Sequence, residues 1–225
     1  MNDRAKEFLV TGAAELGRSL TPAELGRLYA FASELKKWGR KINLTAIKDD
    51  EDIVVKHFLD SFTLLKVKGI KGRLLDIGSG GGFPAIPLIM VLHELHVVSV
   101  DAVEKKVIFQ RHAARLLGLH NFEALHARAE ELAARYARSF DWVVSRAFSD
   151  IPTFVRIALP LIKEQGQIIA MKGRGGREEA VAAESAFRGF GVEVSDIIEF
   201  RLPVSGDARS LIVMKRVKDT CICHG

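Results

Sequence analysis

The stretch Leu74-Leu75-Asp76-Ile77-Gly78-Ser79-Gly80-Gly81-Gly82-Phe83-Pro84 runs from an apolar strand into four glycines within five positions, then into a helix start. Glycine tolerates positive φ and lets backbone N–H groups approach a ligand where a Cβ would stand in the way. Strand, loop and helix together predict the first βα unit of an open α/β sheet, with a nucleotide-like ligand at the carboxyl ends of the strands. Spacing narrows the choice of ligand. A dinucleotide fingerprint, G-x-G-x-x-G, would place its third glycine where Phe83 stands, which argues against a nicotinamide oxidoreductase. No Gly-Lys-Ser/Thr follows, so a Walker phosphate loop is excluded. The run reads D-x-G-x-G-x-G, with Asp76 placed to order the loop or to meet a cationic group.

Downstream of the loop, short β-rich runs alternate with helical patterns, the mark of βαβ units on a parallel sheet. Strands are predicted at Leu74–Ile77, His96–Val100, Phe122–His126, Trp142–Ser145, Gln167–Met171, Val192–Phe200 and Leu211–Arg216. Helices are predicted around Ala85–Leu92, Val103–Leu117, Glu130–Arg138, Ile151–Ile162 and Arg177–Phe190. Only the short connection from Arg201 to Arg209 separates the last two strands, which suits an antiparallel hairpin because a parallel pair needs a longer crossover. Upstream, positions 1–65 read as two or three helices. Thr21-Pro22-Ala23-Glu24 supplies a cap, a proline at the first helical position and a Glu placed for a capping box. Asp49 to Asp52 put acids at the start of a later helix, where the macrodipole favours them. The division expected is a helical cap over residues 1–72, a sheet domain over 73–218 and a flexible tail over 219–225.

Composition sets the class. The 225 residues carry 33 Lys plus Arg against 28 Asp plus Glu, a net charge of +5, with 48% hydrophobic and 27% charged residues, an ordinary globular balance. So small a surplus permits a nucleic-acid partner without indicating one. Phe83 to Leu92, the longest apolar stretch, is about half of the ~20 residues that a membrane span needs. The N-terminus lacks a signal-peptide core. Both cysteines, Cys221 and Cys223, lie in the last five residues, so no disulfide framework is expected and a cytoplasmic setting fits. Cys221, Cys223 and His224 on one short tail make an incomplete metal site, and no metal is expected.

The second predicted strand runs into Asp101, about 20 residues beyond the loop, where a carboxylate can accept ribose hydroxyls. NAD and S-adenosylmethionine both carry that ribose, so Asp101 does not separate them. The loop pattern and the terminal hairpin do, because both resemble the class I S-adenosylmethionine methyltransferase fold: a seven-stranded, mostly parallel sheet with an antiparallel hairpin at its end. The acceptor class is narrowed by elimination. A C5-pyrimidine methylase needs a cysteine nucleophile in the fold. Exocyclic-amine methylases resemble one another in a Pro-Pro-aromatic segment after strand four, where this chain reads Ser145-Arg146-Ala147-Phe148. Guanine N7 is an exposed acceptor whose lone pair attacks without losing a proton, so positioning suffices and no general base is required.

Over about residues 35–175 the chain closely resembles the RsmG (GidB) family, bacterial 16S ribosomal RNA methyltransferases. The resemblance is carried by Trp38 through Asn43-Leu44-Thr45, His57-Phe58-Leu59-Asp60-Ser61, Asp76-Ile77-Gly78-Ser79-Gly80, Phe83-Pro84, Asp101, Arg128-Ala129-Glu130, Ser145-Arg146-Ala147 and Met171-Lys172-Gly173. One departure is Ala85, where the family usually has glycine. The resemblance implies methyl transfer from S-adenosylmethionine to guanine N7 at nucleotide 527 of the small-subunit RNA. It places Gly78, Phe83, Ala129, Glu130 and Arg146 at the cofactor, and the reading of the residues adds Gly80 and Asp101.

Arg128, Arg146 and Lys172 each close a predicted strand on the ligand-binding edge, so they are candidates for holding phosphates or the base, with Arg174 beside them. The expected partner is 16S rRNA or the small subunit, with no membrane and no obligate protein partner. Arg135 and Arg138 read as solvated surface, and Lys36, Lys37, Arg40 and Lys41 as a basic extension on the cap. Asn43 is either a structural turn or an RNA contact. His57, Asp60 and Ser61 share a helix but do not form the chain of nucleophile, base and orienter that a hydrolase needs. They read as a polar seam docking the cap near the cofactor mouth. The competing class is a nucleotide-responsive binding module without turnover, which would show cofactor affinity and no product.

Overall fold

The computed structural model describes residues 1–42, 44, 47, 49–146, 148 and 150–217, apart from the side chains of Lys41 and Ile42. Asn43, Ala147 and the tail with Cys221, Cys223 and His224, singled out in the sequence, lie outside the described residues.

The chain opens with α1 (Asp3–Glu15) and α2 (Pro22–Ile42). The capping box forms as expected. Thr21 N–H donates to Glu24 Oε2 at 2.8 Å, and Glu24 N–H donates to Thr21 Oγ1 at 3.3 Å. Glu24 also takes Arg18 at 2.6 Å, and these partners hold its carboxyl below the ordinary range against the opposing effect of burial. A third helical run begins at α3 (Asp50–Ile53), where Asp49 accepts from the N–H groups of Glu51 and Asp52. It continues through a π-helical stretch (Val54–Leu59), α4 (Asp60–Phe62) and a 3-10 turn (Thr63–Lys66).

Seven strands follow: β1 (Gly72–Ile77), β2 (Leu95–Asp101), β3 (Phe122–His126), β4 (Phe140–Ser145), β5 (Ile162–Lys172), β6 (Val192–Arg201) and β7 (Ala208–Arg216). They form one sheet in the order β3-β2-β1-β4-β5-β7-β6, parallel except for β7, which runs antiparallel to both neighbours. This is the expected seven-stranded α/β sheet with its terminal hairpin. The order reverses between β1 and β4, the place where such sheets open a ligand crevice. Because β7 is inverted, its first residues lie at the carboxyl ends of the parallel strands, a placement the site depends on.

Successive strand residues enter opposite layers. Leu74, Val97, Val144, Ile169 and Val213 join one core with α1, α2, the third helical run, α5 (Ala85–Val91) and α6 (Glu104–Leu116). Leu75, Val98, Val143, Ile168 and Ile212 join the other, under α7 (Ala133–Tyr136), α8 (Ile151–Ala158), α9 (Gly176–Ala182) and α10 (Glu184–Gly189). Phe31, fully buried, sits among Phe58, Phe83 and Phe109 with ring centroids 5.4–6.0 Å apart, tying α2 to the glycine loop and α6.

Three expected helices need correcting. The one read from Glu130 is a 3-10 turn (Ala129–Leu132) followed by α7, and ends at Tyr136; Arg138 has positive φ. The one read to Ile162 stops at Ala158, since a turn follows and β5 begins at Ile162; Phe140 pairs with Ile162 and Trp142 with Gln167. The bulge between those pairs holds the polar run Lys163-Glu164-Gln165-Gly166, which hid the start of the strand from the alternation pattern. The one read across Arg177–Phe190 breaks at Ala183 into α9 and α10.

Candidate active site

The glycine loop is anchored from three sides. Gly78 N–H donates to the Val100 carbonyl at 2.9 Å. Asp101 accepts Gly80 N–H on Oδ2 at 2.8 Å and Val103 N–H on Oδ1 at 2.9 Å. The Gly80 carbonyl in turn accepts the Gln110 amide at 2.8 Å, while Gln110 Oε1 accepts the Ser99 hydroxyl. Asp76 lies beneath the loop, fully buried, with Ala85 N–H on Oδ2 at 3.2 Å. Burial pushes its carboxyl up to about 7, against the pull of Arg146 and its hydrogen bonds. Gly80 has φ +60°, and a Cβ built there meets no atom within 4 Å, so the space beside it is open to a ligand.

Two hollows meet at Gly78. The smaller, about 290 Å³, lies over the ends of β1, β2 and β3 and is lined by Asp101, Arg128, Ala129, Glu130 and Phe148. The larger, about 470 Å³, is bounded by the loop and Phe83 on one side and by Arg146, Lys172 and Arg209 on the other, with His57 and Asp60 at its wall. The expected residues are thus divided: Gly78 borders both hollows; Gly80, Phe83, Arg146 and Lys172 border the larger; Asp101, Arg128, Ala129 and Glu130 border the smaller. Arg174 borders neither and stands exposed beyond β5.

The larger hollow is heavily paired. Arg146, directly after β4, donates from Nη1 to Asp60 Oδ2 at 3.0 Å and to the Lys56 carbonyl at 3.3 Å, and its guanidinium lies 5.3 Å from the Phe83 ring centroid. Arg209, near the start of β7, donates from Nε to the other Asp60 oxygen at 2.7 Å. Lys172 meets Glu179 at 3.0 Å and the Phe148 carbonyl at 3.1 Å. Lys106 lies 3.9 Å from Asp101. His57 stacks on Phe83 with centroids 4.2 Å apart and planes 8° from parallel. Burial, with the Arg146 charge adding to it, holds its imidazole down at about 3. Ser61 turns away and donates to the His57 carbonyl. Asp60 therefore docks the third helical run to β4 and β7, the polar seam the sequence suggests, while Ser61 takes no part in it.

Arg209 and Lys106 are the residues that sequence reasoning passed over. A signal for Arg209 was available: an antiparallel last strand must begin at the end of the sheet where the parallel strands finish. Lys106, at the first turn of α6, carried no motif. Of the cap lysines, Lys36 pairs with Asp50 and Lys37 with Glu34, both away from the cleft. Arg138 pairs with Glu164 and Arg177 with Glu199 on exposed surface.

A family model described as rRNA small subunit methyltransferase G matches residues 24–209. Ribosomal RNA small subunit methyltransferase G of Geotalea uraniireducens is 67% identical over 97% of this chain and the whole of the relative, and that of Geobacter metallireducens is 59% identical over 98% and the whole of the relative. The chain belongs to the rRNA small subunit methyltransferase G family. Among solved structures, a SAM-dependent methyltransferase from Aquifex aeolicus superposes with TM-score 0.57 at 18% identity, covering 81% of this chain and 97% of that one. The M. jannaschii TYW2 complex with AdoMet gives 0.54 at 14%, covering 65% and 71%. At such identities the likeness is one of fold, and it gives this methyltransferase G family chain the class I methyltransferase fold expected from its hairpin.

Proposed function

We propose that the protein transfers a methyl group from S-adenosylmethionine to N7 of a guanine in 16S rRNA, nucleotide 527 by family resemblance, as a cytoplasmic enzyme with no obligate protein partner. The carrying observation is the larger hollow: a glycine loop faces a wall of cations, and among the described residues no side chain there is set up to take a proton. Asp60, the one carboxylate among its described lining residues, is engaged by two arginines. Its imidazole, His57, is held at about 3 and is too weak a base to retain a proton at neutral pH. An acceptor that attacks through a lone pair suits such a wall.

The residues present fit the cofactor, since Gly80 leaves open space where a Cβ would intrude and Asp101 stands at the carboxyl end of β2. When bound, S-adenosylmethionine supplies a methyl activated by a sulfonium. In this reading Asp101 takes the ribose hydroxyls, and Ala129 and Glu130 border the adenine. Backbone at Gly78 and Gly80 approaches the chain of the cofactor, Phe83 forms an apolar wall, and Arg146 orients the carboxylate end. Arg128, Lys172 and Arg174, together with Arg146, hold RNA phosphates so that N7 stays in line with the methyl; catalysis is positioning. Residues 1–72 serve as a cap beside 73–218.

The test is labelled methyl incorporation into deproteinised 16S RNA, intact small subunits and bulk tRNA, followed by borohydride and aniline, which cut the chain at N7-methylguanine. Label in the small-subunit RNA with a single cut is expected. Equal labelling of tRNA, or label without a cut, overturns the reading.

A further inference from the structure

Four cations line the larger hollow among the described residues, Lys106, Arg146, Lys172 and Arg209, and each has a carboxylate within 4 Å. Asp60 alone serves two of them, one oxygen to each. Its arms are unequal. Arg146 is also fastened by the Lys56 carbonyl and lies over Phe83. Apart from Asp60, Arg209 has among the described residues only the carbonyl of its neighbour Ala208 at 3.1 Å and Asp207 at 3.9 Å. A guanidinium matches the paired oxygens of a carboxylate and of a phosphate diester alike. Asp60, reachable at the hollow's wall, thus occupies the position on Arg209 that such a group would take.

We propose that Arg209 is a phosphodiester-binding residue held in reserve by Asp60: it exchanges the carboxylate for a backbone phosphate of the RNA while Arg146 stays on Asp60. The inference rests on the proposed RNA substrate and adds a contact that none of the residues assigned above supplies. Exchange keeps the arginine from standing unpaired in a half-buried position, and it weakens binding of any polyanion that cannot reach the hollow. An exchanged carboxylate also makes a prediction of sign. If Asp60 competes with phosphate, removing its charge tightens RNA binding; if it only orients Arg209, removing it loosens binding.

Poly(U) contains no guanine, so it reads phosphate binding separately from methylation. Its affinity for wild type, Asp60→Asn, Arg209→Ala and the double variant is measured across a salt series, with a thermal melt of each. Asp60→Asn is expected to bind about three- to tenfold tighter at low salt with the slope of log affinity against log salt kept, because Arg209 makes the same single phosphate contact without having to displace a carboxylate. Arg209→Ala is expected to flatten the slope by about 0.7, the loss of one single-strand phosphate contact, and the double variant to lose the gain in affinity. An Asp60→Asn variant that melts as wild type does and binds poly(U) no more tightly than wild type overturns the proposal. Should Asp60→Asn fail to fold, an unflattened slope in Arg209→Ala overturns it alone. Wild type that binds poly(U) with these responses yet leaves 16S RNA unlabelled would sink the methylation reading and keep the subsite.

Discussion

The two ends of the cleft are assembled by opposite means. The end over β1, β2 and β3 is local: Gly78 and Gly80 follow β1 closely, Asp101 closes β2, and Ala129 and Glu130 follow β3 within four residues. Its chief polar contacts are backbone N–H groups gathered on Asp101. The end at Arg146 draws on five separate segments, His57 and Asp60 from the third helical run, Phe83 from the loop, Arg146 after β4, Lys172 on β5 and Arg209 on β7. Its contacts are ion pairs between side chains, with Asp60 and Arg209 149 positions apart in the chain. A local motif can fix the shape of a small ligand; a wall of exchangeable ion pairs suits a polyanion whose contacts must form and break.

The largest expected effect breaks the first end. Asp101→Ala removes the proposed ribose contacts and also frees the Gly80 and Val103 N–H groups that Asp101 now holds. Cofactor affinity should fall by about 1–3 kcal/mol, roughly five- to 150-fold. Calorimetric titration with S-adenosylhomocysteine checks this, and an unchanged affinity would remove Asp101 from the cofactor site.

This contrast also explains what the sequence disclosed. The sheet, its terminal hairpin and the local end of the cleft follow from patterns a few residues long: the valine-rich run from Val97 to Val100, the glycines after Ile77, the acid at the end of β2. The breaks in the helices were not legible, because Ala183 is an ordinary helix former and only packing on β6 and β7 decides that α9 stops there. At the other end the cations after β4 and β5 could be named from strand ends alone, but their partners could not. That Lys172 faces Glu179, or that Asp60 ties two arginines together, depends on how the strands are ordered and how the third helical run lies on them.

Lys172→Met sharpens the comparison from the second end. Its ammonium touches Glu179 and the Phe148 carbonyl, remote from the glycine loop's own hydrogen bonds. Methylation of small-subunit RNA should fall by about tenfold, a loss near 1.4 kcal/mol, with cofactor affinity within twofold of wild type. A matching loss of cofactor affinity would move Lys172 to the first end.

The smallest expected effect compares the two buried titrating groups, one under each end. His57 is held at about 3 when folded and returns to its ordinary 6.5 when unfolded, so between those values the unfolded chain carries the extra proton. Its contribution to stability is therefore present above pH 6.5 and is lost as pH falls toward 3. Asp76, raised to about 7 from 3.8, has the opposite sign, since between those values the folded protein carries the extra proton and stability declines as pH rises. Between about pH 4 and 6.5 the two slopes oppose each other. Arg146 faces both groups, Asp60 and Asp52 also act on His57, and Asp101 also acts on Asp76. Replacing one group leaves the other uncompensated. His57→Phe should make the protein more stable as pH is lowered from 6.5 to 4.5, and Asp76→Asn less stable, each by on the order of 1 kcal/mol per pH unit relative to wild type. Urea denaturation at a series of pH values measures both slopes, and slopes of the same sign in the two variants would show that the two groups do not titrate as opposites.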